Sequence, residues 1–100
     1  MYSVYWTTLA EISYSEEADF ILKKWNLKEV DNFGILVDNH LKLIASTPFI
    51  GKVNSNNSKY SLVISKQTTL YYTIDSENLI IYLIVFWNNL KNPNDLIKLL

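Results

Sequence analysis

Apolar residues recur along the chain in two rhythms, and the changes between them mark out its elements. Tyr2, Val4 and Trp6 alternate with Ser3 and Tyr5, a period of two that suits a short strand rich in aromatic and β-branched side chains. From there the period lengthens. Ala10, Tyr14, Ala18, Ile21 and Trp25 fall at i, i+4, i+8, i+11 and i+15, one stripe down a helix. Thr8-Leu9-Ala10-Glu11 reads as a capping box, in which the Thr8 hydroxyl accepts from an early amide and Glu11 reaches back to the Thr8 amide. Asn26-Leu27-Lys28-Glu29 repeats the pattern, so the first helix ends near Trp25 and a second begins near Leu27. So short a link predicts an antiparallel helical hairpin. Val30, Phe33, Val37, Leu41 and Ile44 mark the buried face of the second helix, while Lys28, Asp31, Asp38 and Lys42 stay in water.

Pro48 and Gly51 bracket a turn, and the polar run Lys52 to Lys59 reads as a mobile loop. The period of two then returns. Tyr60 to Ser65 sets Tyr60, Leu62 and Ile64 against Ser61, Val63 and Ser65, and Leu70 to Ile74 sets Leu70, Tyr72 and Ile74 against Tyr71 and Thr73. Leu79 to Trp87 is apolar on both faces, which favours a central strand. Gln67-Thr68 and Asp75 to Asn78 are short enough to be hairpin turns. After Pro93, Asn94 is placed to cap a short helix through Leu100. The predicted class is α+β, with order βααβββ: a helical hairpin packed on a mostly antiparallel four-stranded sheet, then a short C-terminal helix. Val4, Ile21, Val37, Leu62, Ile74, Ile81 and Leu83 are the expected core.

Composition narrows the chemistry. A chain of 100 residues with 49% apolar content can bury one core, so residues 1–100 are expected to form a single domain. There is no cysteine, which excludes disulfides and thiolate chemistry and fits a reducing cytoplasm. The N-terminus lacks a basic segment ahead of an apolar run, and no stretch is long enough for a membrane helix. A formal charge of −1 gives no general pull towards polyanions, and all nine basic residues are lysines. His40, the single histidine, sits on a helix flank and has no second histidine with which to share a metal, so no metal site is expected. With only Gly34 and Gly51 there is no glycine-rich phosphate loop, and no cofactor is expected. Glu16, Glu17 and Asp19 read as a solvated acidic face.

Four segments in order resemble the RelE/ParE toxin superfamily: Val4-Tyr5-Trp6-Thr7, Thr47-Pro48-Phe49-Ile50-Gly51-Lys52, Leu70 to Asp75, and Val85 to Pro93. The resemblance spans nearly the whole chain. It implies the toxin of a type II toxin–antitoxin system of the plasmid-stabilisation kind, a growth inhibitor neutralised by a cognate antitoxin. Members that cut messenger RNA on the ribosome hold the scissile phosphate with arginines and lysines, whereas relatives without that set bind DNA gyrase. The two arginine positions fall here on Ser61 and Leu90. Neither can replace a guanidinium fork. Lys52, Lys59, Lys66 and Lys91, with Tyr72, are the catalytic candidates that remain. The resemblance therefore favours a toxin that binds a target such as gyrase. A ribosome-dependent endoribonuclease and an inactive relative that only binds antitoxin stay open. Trp87, Leu96, Ile97, Leu99 and Leu100 are the expected antitoxin contacts, because so apolar a terminus needs cover from its own domain or a partner.

Overall fold

Where the sequence changes period, the backbone changes element. The computed structural model describes residues 1–100 and runs β1 (Ser3–Trp6), α1 (Thr8–Lys24), α2 (Leu27–Ser46), β2 (Lys52–Asn54), β3 (Lys59–Val63), β4 (Thr68–Asp75), β5 (Ile80–Asn88) and α3 (Pro93–Leu99), with a 3-10 turn at Pro48–Ile50. The strands form one sheet in the order β1-β5-β4-β3-β2, antiparallel except for the parallel β1–β5 pair. The α+β class, the hairpin of α1 and α2 and the central β5 are as expected. The sheet, however, has five strands where four were predicted.

The added strand comes from the segment read as a mobile loop. Lys52–Asn54 pairs with Lys59–Ser61 because the residues between them close a turn with their own side chains. Asn54 Oδ1 accepts from the Asn56 amide at 2.9 Å and Asn57 Oδ1 from the Lys59 amide at 3.0 Å, while the Ser58 amide donates to the Asn54 carbonyl at 2.9 Å. All three β2 side chains are exposed, so no apolar alternation marks the strand.

Helix caps differ in detail. Thr7, not Thr8, caps α1: its hydroxyl accepts from the Ala10 amide at 3.1 Å and donates to the Leu83 carbonyl at 2.7 Å, which ties the helix start to β5. Asn26 caps α2 as expected, accepting from Glu29 at 3.0 Å. Asn92, rather than Asn94, caps α3. The buried face of α1 is also turned from the predicted stripe. It carries Ala10, Ser13, Glu17 and Ile21, while Trp25 is 52% exposed.

β1 ends at Trp6, opposite Leu83, so the remainder of that edge of β5 needs other partners. Ser13 supplies one by accepting from the Phe86 amide at 2.9 Å. Glu17 is buried and accepts a hydrogen bond from the Thr68 hydroxyl, so it does not belong to a solvated acidic face. The core joins Ala10 and Ile21 of α1, Phe33, Val37 and Ile44 of α2, and Leu70, Tyr72, Ile81, Leu83 and Phe86 of the sheet. Val4, Leu62 and Ile74 pack against it partly buried.

A shift of register between Tyr71 and Tyr72 leaves Ile84 unpaired, because Tyr71 faces Val85 and Tyr72 faces Leu83. This bulge resets the phase of β5. Phe86 and Asn88 join Ile81 and Leu83 on the helix side, and Val85 and Trp87 turn to the opposite face. Both are nonetheless buried, at 2% and 7% exposed. On that face Leu100 lines one cleft with Tyr71, and the Lys91 ammonium lies over the Trp87 ring.

Candidate functional site

Strand pairing gathers polar groups on the face away from the helices. Lys52 lies opposite Ser61, and Ser61 opposite Tyr71, one row across β2, β3 and β4. Alternation puts Asn54 and Lys59, themselves paired, on the same side. Together with Val53, Ser55 and Leu100 they line a cleft of about 380 Å³. No Asp, Glu or His side chain lines it. Burial raises the Tyr71 phenol above its ordinary pKa, so at neutral pH it is a neutral hydroxyl that can donate a hydrogen bond but cannot act as a base. Two ammonium groups, a serine and a phenol suit an anionic or polar ligand. They include no guanidinium to hold a phosphate in a fixed plane.

No protein-family model and no curated protein sequence matches the chain. Among solved structures it is similar to a chain of the RelBE2 toxin–antitoxin complex of Mycobacterium tuberculosis, with a TM-score of 0.62 at 18% identity, covering 88% of this chain and 98% of that one. At that identity the likeness is one of fold.

On this fold the candidate residues separate. Lys52 and Lys59 share the cleft, whereas Lys66 lines a different groove and the Lys91 ammonium lies 5.7 Å from the centre of the Trp87 ring. Of the two positions matched to arginine, Ser61 is in the cleft and Leu90, 73% exposed, is in that other groove. Tyr72 points into the core. Its hydroxyl donates to the Pro48 carbonyl at 2.8 Å and accepts from the Gly51 amide at 3.1 Å, so it braces the 3-10 turn and does not reach the cleft. Burial is also the chief reason its phenol pKa is raised. Gly51 is required here, since a Cβ would lie 2.5 Å from that hydroxyl and 2.8 Å from the Ser61 carbonyl.

Tyr71, the phenol that does face the cleft, was legible in the alternation that set it against Leu70 and Tyr72. Asn54 was not, because nothing in a polar run announces a strand. His40 donates or accepts through Nδ1 at the Leu36 carbonyl, 2.7 Å away on its own helix, and stands apart from both cavities. The expected partner contacts also divide. Trp87 is buried, Leu96 and Leu100 are half-buried, and Ile97 and Leu99 are 70% and 40% exposed. No helix is long and apolar enough to cross a membrane, and no group of three or more His, Asp or Glu residues is placed to hold a metal ion.

Proposed function

We propose that the chain is the toxin of a type II toxin–antitoxin pair, acting in the cytoplasm by binding a larger target such as DNA gyrase and not by cutting RNA. The observation that carries this reading is the makeup of the cleft on a RelE/ParE-type fold. Lys52 and Lys59 can attract an anionic surface, but the positions where the resemblance expects arginines are Ser61 and Leu90, and neither can hold a scissile phosphate as a guanidinium fork does. Binding to a target requires no such fork. An antitoxin partner is supported by the similar protein, which is part of a toxin–antitoxin complex. The contact is assigned to the exposed side of α3, where Ile97 and Leu99 present apolar surface beside half-buried Leu96 and Leu100.

The test is to express the chain alone and together with the product of the adjacent reading frame, and then to assay the purified protein on translating ribosomes and on gyrase. The expected outcome is growth arrest relieved by co-expression, inhibited supercoiling and intact messenger RNA. Ribosome-dependent cleavage lost in Lys52→Ala would establish the endoribonuclease reading in its place.

A further inference from the structure

Two asparagines of the β2–β3 turn are followed by serine, in Asn54-Ser55 and Asn57-Ser58, and the chain has no Asn-Gly pair. A small following residue matters because its backbone nitrogen can approach the asparagine Cγ without a side-chain clash. In sequence the two pairs are equivalent. They also share one feature of geometry, since each side-chain carbonyl accepts from the amide two residues on: Asn54 Oδ1 from Asn56 at 2.9 Å and Asn57 Oδ1 from Lys59 at 3.0 Å. Such a bond polarises the carbonyl and is placed to stabilise the oxyanion that forms when Cγ becomes tetrahedral. The nucleophiles differ. The Ser58 amide is engaged, donating to the Asn54 carbonyl at 2.9 Å, and Asn57 is half-buried. The Ser55 amide donates to no backbone carbonyl, and both Asn54 and Ser55 are exposed.

We propose that Asn54 is a site of spontaneous deamidation, which sets a carboxylate in the cleft that holds Lys52 and Lys59. The Ser55 nitrogen gives its proton to solvent base and attacks Asn54 Cγ. The new N–Cγ bond closes a five-membered succinimide as the Cγ–Nδ2 bond breaks, and the side-chain nitrogen takes up a proton and leaves as ammonia. Water then adds to either ring carbonyl and opens the ring to aspartate or isoaspartate. Nothing is oxidised or reduced, and water is the only other reactant. Asn54 lines the same cleft as the two lysines and is paired with Lys59 across the hairpin. A carboxylate there lowers the positive potential that the two ammonium groups create. Isoaspartate also lengthens the backbone at the turn on which the pairing of β2 with β3 depends. The cleft therefore loses attraction for anions as the protein ages, whatever anion it meets, so the proposal does not rest on the toxin reading.

The full chain is held in mildly alkaline buffer, sampled over time, cut with a protease and sequenced by fragment-ion mass spectrometry. Asn54 should gain a carboxyl at least about threefold faster than Asn57, the margin set by freeing a hydrogen-bonded nucleophile. Labelling with a protein isoaspartate methyltransferase should mark the same position. Ser55→Pro, which has no N–H to lose, and Asn54→Gln, whose longer side chain would have to close a six-membered ring, should each suppress conversion at position 54. Conversion at Asn57 as fast as at Asn54, no conversion at either, or conversion undiminished in both variants would overturn the assignment. The charge effect is read on immobilised heparin as a polyanion probe. Asn54→Asp should elute at lower salt than Asn57→Asp, which makes the same change of net charge outside the cleft. Coincident elution of the two variants would overturn the claim that the new carboxylate acts on the cleft.

Discussion

Glu17 shows how much one side chain can depend on a distant partner. It occupies a helix position that faces the sheet, 3% exposed, and the Thr68 hydroxyl, 51 residues away in sequence, donates to its carboxylate. Thr68 is itself wholly buried, so neither group has water as an alternative. Thr68→Val keeps the shape and removes the donor. In chemical denaturation it should destabilise the protein by about 1–3 kcal/mol, the range for leaving a buried polar group without its partner. Glu17→Leu combined with Thr68→Val should cost clearly less than the sum of the single changes, because the double variant leaves no polar group stranded. A Thr68→Val variant as stable as the parent would mean that the pair contributes nothing. Tyr71 and Tyr72 make the same point about orientation: adjacent phenols, one lining the cleft and one bonded to Pro48 and Gly51 in the interior.

Turns carry much of the specification of the sheet. Between β4 and β5, Asn78 donates to Asp75 twice, from its side-chain amide at 2.8 Å and from its backbone at 3.2 Å, and Leu79 follows with φ at 56°. Those bonds act on the charged carboxylate, the side-chain bond most strongly, and hold the Asp75 pKa below its ordinary value of 3.8. A lowered folded-state pKa means that the contribution is present above the ordinary aspartate range and is lost as pH falls through the lowered value. An NMR titration of Asp75 should therefore give a midpoint below 3.8, and Asn78→Ala should move it back towards that value. An unchanged midpoint in Asn78→Ala would exclude Asn78 as the cause. The β2–β3 turn works similarly through Asn54 and Asn57, and without it Lys52 would not stand across from Ser61.

At the scale of the whole molecule, β5 is the element on which the others depend, since it pairs with β1 and β4 and α1 packs against it. Ile81, near the start of β5, is fully buried, and Ile81→Ala should cost about 2–5 kcal/mol in equilibrium unfolding, as large-to-small changes in well-packed cores do. A melting temperature within a degree or two of the parent would contradict that central role. The pattern of apolar positions determined by itself the helical hairpin, three of the five strands as half-buried or central, the first strand's buried face and most of the core, because period reports which side chains share a face of their own element. It also contained the outward phase of Tyr71. Tertiary structure alone decided the rest. β2 exists only as a partner for β3, so its exposed Lys-Val-Asn carries no apolar signature. The buried face of α1 includes Ser13 and Glu17 because an amide of β5 and a hydroxyl of β4 are there to meet them. Trp87 lies on the face away from the helices because a bulge reset the phase of β5. Lys52 and Lys59 came to share a cleft, with Lys66 and Lys91 placed elsewhere, because strand register brings residues distant in sequence together, and a period of two within one strand carries no record of its neighbour's register.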